Sequence, residues 1–195
     1  MRRDCGNRER ILEAAARLFH ERGFQPTSLD DIIADSGVCR SNLYYHFKSK
    51  EELGLAVLDY IAERFSDRMI EGTLRDERRP ARQRLEQFLT AVAEGLEADA
   101  CRRGCPFGNL AAELAGGHPK FRERLCDVFR RWEDAVVVCL RDGVRAGEFR
   151  RDLDVSRLAT ALVSQFEGAV LLSKAYGDVR PVRAARATLI LLESR

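Results

Sequence analysis

A chain of 195 residues, 45% hydrophobic and 33% charged, with 5 prolines and 14 glycines, holds enough apolar material for a core and is neither fibrous nor low-complexity. Its 33 basic side chains are nearly balanced by 31 acidic ones, so any nucleic acid must be met by a local patch rather than by overall charge. Six cysteines without a secretory pattern at the N-terminus point to reduced thiols in a cytoplasmic protein. No apolar run reaches the ~18 residues of a membrane-spanning helix, since Gln165 and Glu167 interrupt the richest stretch, and no membrane partner is expected.

Apolar residues recur at helical rather than alternating spacing, which predicts an all-α protein. A first helix is expected over 8–21, with Ile11, Leu12, Ala15, Leu18 and Phe19 on one stripe and Gly23 as its stop. Thr27 or Ser28 caps a short second helix, in which Asp31 completes a capping box with Ser28 and Gly37 ends the element. A third short helix begins near Cys39 and ends near Tyr45. Ser49 and Glu52 open a long fourth helix through Leu53, Val57, Tyr60 and Phe65. After the polar connector 75–79, Pro80 starts a helix carrying Leu85, Phe88, Leu89, Val92 and Leu96. Gly104 and Pro106 bracket a break before a short helix with Phe107, Leu110 and Leu114. Pro119 starts a long helix through Trp132 to Val144, Asp154 caps another with Leu162, Phe166 and Val170, and Pro181 opens the last, ending at 189–192.

Residues 28–47 place a capped helix, a glycine turn and a second short helix within the length of a helix-turn-helix. Paired short helices also occur in proteins with no DNA role, so the side chains decide. The second helix offers Arg40, Ser41, Asn42, Tyr44, Tyr45 and His46, with only Leu43 and Phe47 as obvious core positions. Arg matches the guanine edge and Asn the adenine edge in a major groove.

The run Thr27-Ser28-Leu29-Asp30-Asp31-Ile32-Ile33-Ala34, then Ser36-Gly37-Val38, then Leu43-Tyr44-Tyr45-His46-Phe47-Lys48-Ser49-Lys50-Glu51-Glu52-Leu53 resembles the TetR family of transcriptional regulators. The match by motif covers roughly residues 8–60. The resemblance implies a three-helix DNA-binding head at the N-terminus, here 1–48, and a C-terminal helical ligand-binding and dimerisation domain, 49–195. It further implies a homodimer bound to double-stranded operator DNA and repression relieved by a small molecule. Arg40, Ser41 and Asn42 are then the base readers, while Tyr44, Tyr45, His46, Lys50, and Thr27 or Ser28 at a helix N-terminus contact phosphates. Arg2, Arg3, Arg8 and Arg10 would add an N-terminal arm. Each of these polar residues also has a simpler reading as a solvated surface group, and Tyr44 as half core.

Gly104-Cys105-Pro106 puts a thiol just ahead of a helix that opens on proline, with Arg102 and Arg103 adding positive charge, the setting that favours a thiolate. Cys101 lies one turn away if the preceding helix persists and could then resolve an oxidised Cys105. The stretch Arg103-Gly104-Cys105-Pro106 to Leu114 is similar to one in a branch of TetR regulators that sense electrophiles or oxidants. A small buried cysteine at a helix junction fits the sequence as well. Cys39 stands where many family members carry a capping Ser, so its oxidation could disturb DNA binding directly. No Cys-x-x-Cys pair supports a metal site at Cys101, Cys105 and His118, and neither a metal nor a cofactor is expected.

Phe88, Leu110, Phe129, Trp132, Phe166 and Tyr176, with Gln165 or Glu167 as polar anchor, could line a ligand pocket, and the same residues would serve as plain core. Small residues on the last two helices, Ala159, Ala161, Gly168, Ala169, Ala184, Ala185 and Ala187, suit a four-helix dimer interface. An enzyme is not expected, because no His-Glu-x-x-His, Gly-x-Ser-x-Gly or phosphate-binding glycine loop is present. The competing class is a helical protein-interaction adaptor without DNA binding.

Overall fold

The computed structural model describes residues 2–193; the side chains of residues 2–5, Arg2 and Arg3 of the expected arm and Cys5 among them, lie outside the described ones. Apart from one isolated antiparallel bridge, Phe149 with Glu193, all described secondary structure is helical.

Capping chemistry sets most boundaries. Helix α1 (Arg2–Arg22) starts earlier than the apolar stripe suggests, and that stripe, Ile11, Leu12, Ala15, Leu18 and Phe19, is buried throughout. Helix α2 (Leu29–Ser36) opens on the expected capping box: the Ser28 hydroxyl accepts from the Asp31 amide at 3.1 Å while the Asp31 carboxylate accepts from the Ser28 amide at 2.7 Å. Gly37 then turns the chain at φ 63°, a left-handed conformation that costs glycine nothing. Helix α3 (Arg40–His46) follows at once. Helix α4 (Lys50–Phe65) uses Ser49 as expected, its hydroxyl accepting from the Glu52 amide at 3.1 Å, but Glu52 reaches back to the Lys48 amide, at 2.8 Å.

Beyond Phe65 the chain does not relax into a connector. Residues Ser66–Leu74 are wound as a π-helix, a wider coil that periodicity did not indicate. Helix α5 (Ala81–Glu97) has its first two amides, Ala81 and Arg82, donated to the Glu148 carboxylate at 3.0 Å each. Helices α6 (Pro106–Leu114), α7 (Pro119–Ala146) and α8 (Val155–Tyr176) follow, the last capped by Asp154 through the Arg157 amide at 3.1 Å. Where one final helix was expected from Pro181, the structure has a short α9 (Arg180–Ala185) and then a 3-10 helix, Arg186–Leu192, in which the Thr188 hydroxyl donates to the Ala185 carbonyl at 2.7 Å.

The chain forms two compact units, residues 1–63 with 106–126, and residues 64–105 with 127–195. Helix α6 and the start of α7 thus fall in the same compact unit as the N-terminal helices. The tie is local: the Glu113 carboxylate of α6 accepts from the amides of Phe24, at 2.9 Å, and Gln25, at 2.5 Å, in the turn between α1 and α2. The Phe24 ring meets Phe19 and Phe121 at centroid distances of 5.0 and 5.2 Å. Gly54 of α4 permits that contact, since a Cβ there would stand 2.5 Å from the Phe24 ring and 2.7 Å from the Phe121 ring.

The second unit has one apolar cluster, contributed by α5, α7, α8, α9 and the 3-10 helix. A part-buried ion pair braces it, with the buried Arg84 donating to Asp142 at 3.0 Å and to the Leu74 carbonyl at 3.2 Å. By length and mean hydropathy, 1.2, α8 is apolar enough to cross a membrane. Packing accounts for part of that composition: Ala159, Leu162, Val163, Phe166, Ala169 and Val170 are buried in this cluster, while Leu171 and Leu172 are exposed.

Candidate nucleic-acid interface and effector region

The face of α3 is decided by three buried residues. Val38, Leu43 and Phe47 pin it to the first unit, leaving Arg40, Ser41, Tyr44 and Tyr45 exposed and Asn42 and His46 half-buried. Seven residues with one buried side chain present an outer face made almost wholly of hydrogen-bonding groups. Tyr45 is 64% exposed, far more than packing would leave an aromatic ring, and stands edge-on to His46 at 5.1 Å. Tyr44, at 39%, is the half-packed one.

Charge on this face is loosely held. Arg40 pairs with Asp30, both well exposed, an arrangement that costs little to exchange for another acceptor. Lys48 Nζ donates to the Tyr44 carbonyl at 3.1 Å, and the Arg8 guanidinium lies 5.5 Å over the Phe47 ring. Arg10 donates to the Ser36 carbonyl at 2.6 Å, so it ties α1 to α2 instead of trailing as an arm.

Two of the expected phosphate contacts are otherwise engaged. Thr27 is fully buried and donates its hydroxyl to the Gly23 carbonyl at 2.8 Å; it closes the turn behind α1 and presents nothing to a partner. Lys50 turns its ammonium to the Gln25 carbonyl at 3.0 Å and over the Phe24 ring at 4.6 Å, and burial lowers its pKa. Ser28 is exposed but already shares its hydroxyl with Asp31, whose carboxyl those bonds hold below its ordinary value.

Cys39 occupies the N-cap of α3 without a side-chain capping bond. Its sulfur lies 3.2 Å from the Ser41 hydroxyl, and that contact, followed by the Asn42 amide at the helix N-terminus, lowers the thiol pKa. The thiol is exposed.

The effector candidates separate. Phe88, Trp132 and Phe166 stack into one aromatic cluster in the second unit, with centroids 5.2, 5.8 and 6.5 Å apart, joined by Phe65, 5.4 Å from Trp132. Phe129 packs half-buried against the same cluster. Leu110 falls in the first unit, and Tyr176 is 63% exposed. Gln165, expected as a polar anchor, accepts from the Thr188 hydroxyl at 3.1 Å, a partner 23 residues on that periodicity cannot reveal. Glu167, two residues on, is part-buried: desolvation raises its pKa, opposed by a hydrogen bond with the Cys105 thiol.

Around Cys105 the expected electrostatics change. Helix α5 ends at Glu97, and Ala100 and Cys101 take positive φ values of 54° and 58°, so Cys101 is not one helical turn from Cys105. Cys101 is buried, and burial followed by the Asp99 charge pushes its thiol up, the opposite of what a resolving thiolate needs. Arg103 donates to the Asp99 carboxylate at 2.7 Å and Arg102 to the Asp99 carbonyl at 3.1 Å, so Asp99 offsets the positive flank the sequence suggested. Glu113 was hidden in the sequence because its partners lie 88 and 89 residues away, and Asp99 because the non-helical turn at Ala100 and Cys101 sets which arginine it meets.

Comparison with known proteins gives the same reading of both regions. The family model for bacterial regulatory proteins of the tetR family matches residues 11–57, and that for the tetracyclin repressor-like C-terminal domain matches 81–189. The chain is 33% identical over 177 residues to the HTH-type transcriptional repressor DhaR of Mycobacterium sp. (strain GP1), covering 90% of this chain and 86% of that one. A TetR transcriptional regulator from Chloroflexus aurantiacus superposes with a TM-score of 0.86 at 31% identity, covering 98% of this chain and 96% of that one. The regulatory protein TetR from Rhodobacter sphaeroides gives a TM-score of 0.86 at 27% identity, covering 93% and 95%. The two family models and the 33% identical relative together settle the family: this chain belongs to the TetR family of DNA-binding transcriptional regulators, which are not enzymes.

Proposed function

We propose that the protein is a homodimeric repressor that reads a palindromic operator with Arg40, Ser41 and Asn42 and leaves it when an effector binds or modifies the second unit. The observation that carries this is the outer face of α3, where the guanidinium and amide that match guanine and adenine edges stand on a rigid helix pinned by Leu43. Tyr44, Tyr45, His46 and Ser28 flank them as phosphate contacts, and Lys50 joins by exchanging the Gln25 carbonyl for a phosphate. The functional division follows 1–48 for DNA and 49–195 for effector and dimer, in the cytoplasm where operator DNA lies.

The dimer reading rests on an apolar patch of α8 and the 3-10 helix, where Leu171, Leu172, Tyr176, Ile190 and Leu191 are 45–71% exposed. The small residues expected to make this surface divide: Ala159, Ala169 and Ala185 are spent on the unit's own core, while Ala161, Ala184 and Ala187 remain outside. Covering such a patch with its symmetry mate sets two α3 helices one DNA turn apart, ~34–36 Å. Release follows either a ligand at the Phe88, Trp132 and Phe166 cluster or modification of Cys105, half-buried beside Glu167; Cys39 is a second, more exposed thiol.

A fragment of the gene's own promoter region tests the reading. Binding should weaken steeply as salt rises, because phosphate contacts release counterions, and a two-fold-symmetric footprint should appear. An adaptor would bind no such fragment. Treatment with an oxidant or electrophile should release wild type and spare Cys105→Ser; equal responses would remove Cys105 from the mechanism.

A further inference from the structure

Helix α2 carries three aspartates, and each meets an arginine. Asp35 pairs with Arg17, and Asp31 with Arg22 at 3.9 Å; both arginines lie on α1, so these two pairs brace α2 against its neighbour. Asp31 also closes the cap of α2 with Ser28. Asp30 differs. Its Oδ1 accepts from Nη2 of Arg40, the first residue of α3. Both side chains stand in solvent, Asp30 at 67% and Arg40 at 61% exposure, so the pair adds little to the stability of the fold. Its charges are nevertheless matched. A cation in the first turn of a helix faces the positive end of the helix dipole, and the first turn of α3 holds no acidic residue. Asp30 supplies the compensating charge from the helix before.

We propose that Asp30 is a specificity-determining residue: it reserves the Arg40 guanidinium for a guanine edge by penalising its transfer to a phosphate. The inference rests on the regulator reading above and concerns how that reader tells operator from other DNA. An arginine is long and carries its N–H donors in a planar fork, so one without a partner can take a phosphate on any sequence. The contact through Nη2 orders the fork within the protein, and its other donors serve the O6 and N7 acceptors that guanine presents in the major groove. Those acceptors carry no net charge, so Asp30 keeps its place while they are met. A phosphate is an anion. To take one, Arg40 must either leave the Asp30 carboxylate bare among the phosphates or share its single charge between two anions. Breaking the exposed pair itself costs little; the penalty lies in the carboxylate left behind. Discrimination depends only on the difference between the two complexes, so a repulsive element used against the wrong one is enough.

The test compares wild type, Asp30→Ala, Arg40→Ala and the double variant as full-length proteins; alanine at an exposed helical position leaves the fold intact. Each is titrated against the promoter fragment, against single base-pair changes along it and against scrambled DNA of equal length, at several salt concentrations. Arg40→Ala identifies the position Arg40 reads, by flattening the preference for guanine there. Asp30→Ala should lower the preference at that same position about three- to fivefold, leave the other positions unchanged and tighten binding to scrambled DNA about threefold. On scrambled DNA its salt dependence should steepen by a slope of about 0.9, because the released guanidinium now neutralises one more phosphate. In the Arg40→Ala background, Asp30→Ala should move neither the base preference nor the salt slope. A loss of preference spread evenly over all positions, or equal effects of Asp30→Ala with and without Arg40, would mark a general charge or folding effect and overturn the proposal. A wild type with no base preference anywhere refutes the regulator reading and this inference with it. A position flattened by Arg40→Ala but untouched by Asp30→Ala refutes the role of Asp30 alone.

Discussion

In the first unit the polar side chains of α3 stand in solvent on a helix fixed by Val38, Leu43 and Phe47, whereas in the second unit the rings of Phe88, Trp132 and Phe166 are buried against one another. The contrast separates two kinds of recognition. A partner as large and as hydrated as DNA is met by groups that stay wet until contact and lose little on exchange, as the exposed Arg40 with Asp30 pair illustrates. A small molecule gains more from groups that have already lost their water, because the cost of drying them was met during folding.

The comparison breaks most visibly if each unit's anchor is removed. Phe88→Ala, which deletes a fully buried ring, should destabilise the protein by ~3–5 kcal/mol and shift the Trp132 emission. Leu43→Ala should cost ~2–5 kcal/mol, abolish operator binding and leave that emission unchanged. Chemical denaturation with both readouts checks the pair, and a Leu43→Ala protein that still binds operator normally would contradict the assigned role of α3.

A smaller effect is expected at the turn held by Glu113. Glu113→Ala removes two bonds to the Phe24 and Gln25 amides, and because the carboxylate is exposed the loss should be about 1–2 kcal/mol. Faster hydrogen exchange at those two amides is the accompanying signature; unchanged exchange would place the support of the turn elsewhere.

The smallest effects are two pH dependences of opposite sign. Arg78 and Arg79 hold the Asp76 carboxyl down at about 2, below an unfolded value of ~3.9. Its contribution is therefore present above the unfolded value and lost as pH falls through about 2, so Asp76→Asn should be less stable than wild type at pH 7 and equal to it at the acid end. Burial raises Glu167 instead, so ionisation favours the unfolded chain as pH climbs past its ordinary range. Glu167→Gln should then be more stable than wild type at neutral pH, the gap closing in acid. Melting temperatures across pH decide both, and gaps of the same sign would remove the distinction.

What could be read from sequence was whatever is local. Ser28 with Asp31, Ser49 with Glu52, Asp154 and the left-handed Gly37 gave their helices away because caps act within a few residues. The family motif made the exposed face of α3 legible as well. What stayed hidden depends on partners that helical periodicity does not assign, some near in sequence and some distant. Thr27 carries a good capping hydroxyl, yet the Gly23 carbonyl takes it into the interior. Gln165 is claimed by Thr188, Arg103 by Asp99, and the turn at Phe24 by Glu113, 89 residues away. The π-helix after Phe65 stayed hidden because its buried positions, Ile70, Thr73 and Leu74, fall at threes and fours like those of an α-helix, so the pattern does not disclose the wider coil.

The central claim is that α3 reads base edges, and operator affinity of Arg40→Ala and Asn42→Ala, measured on the cognate fragment and on scrambled DNA of equal length, tests it most directly. Each substitution should cost about 1–3 kcal/mol on the cognate fragment and almost nothing on scrambled DNA, collapsing the specificity ratio while the salt dependence of Asn42→Ala stays intact. Equal losses on both fragments, or none on either, would contradict the account.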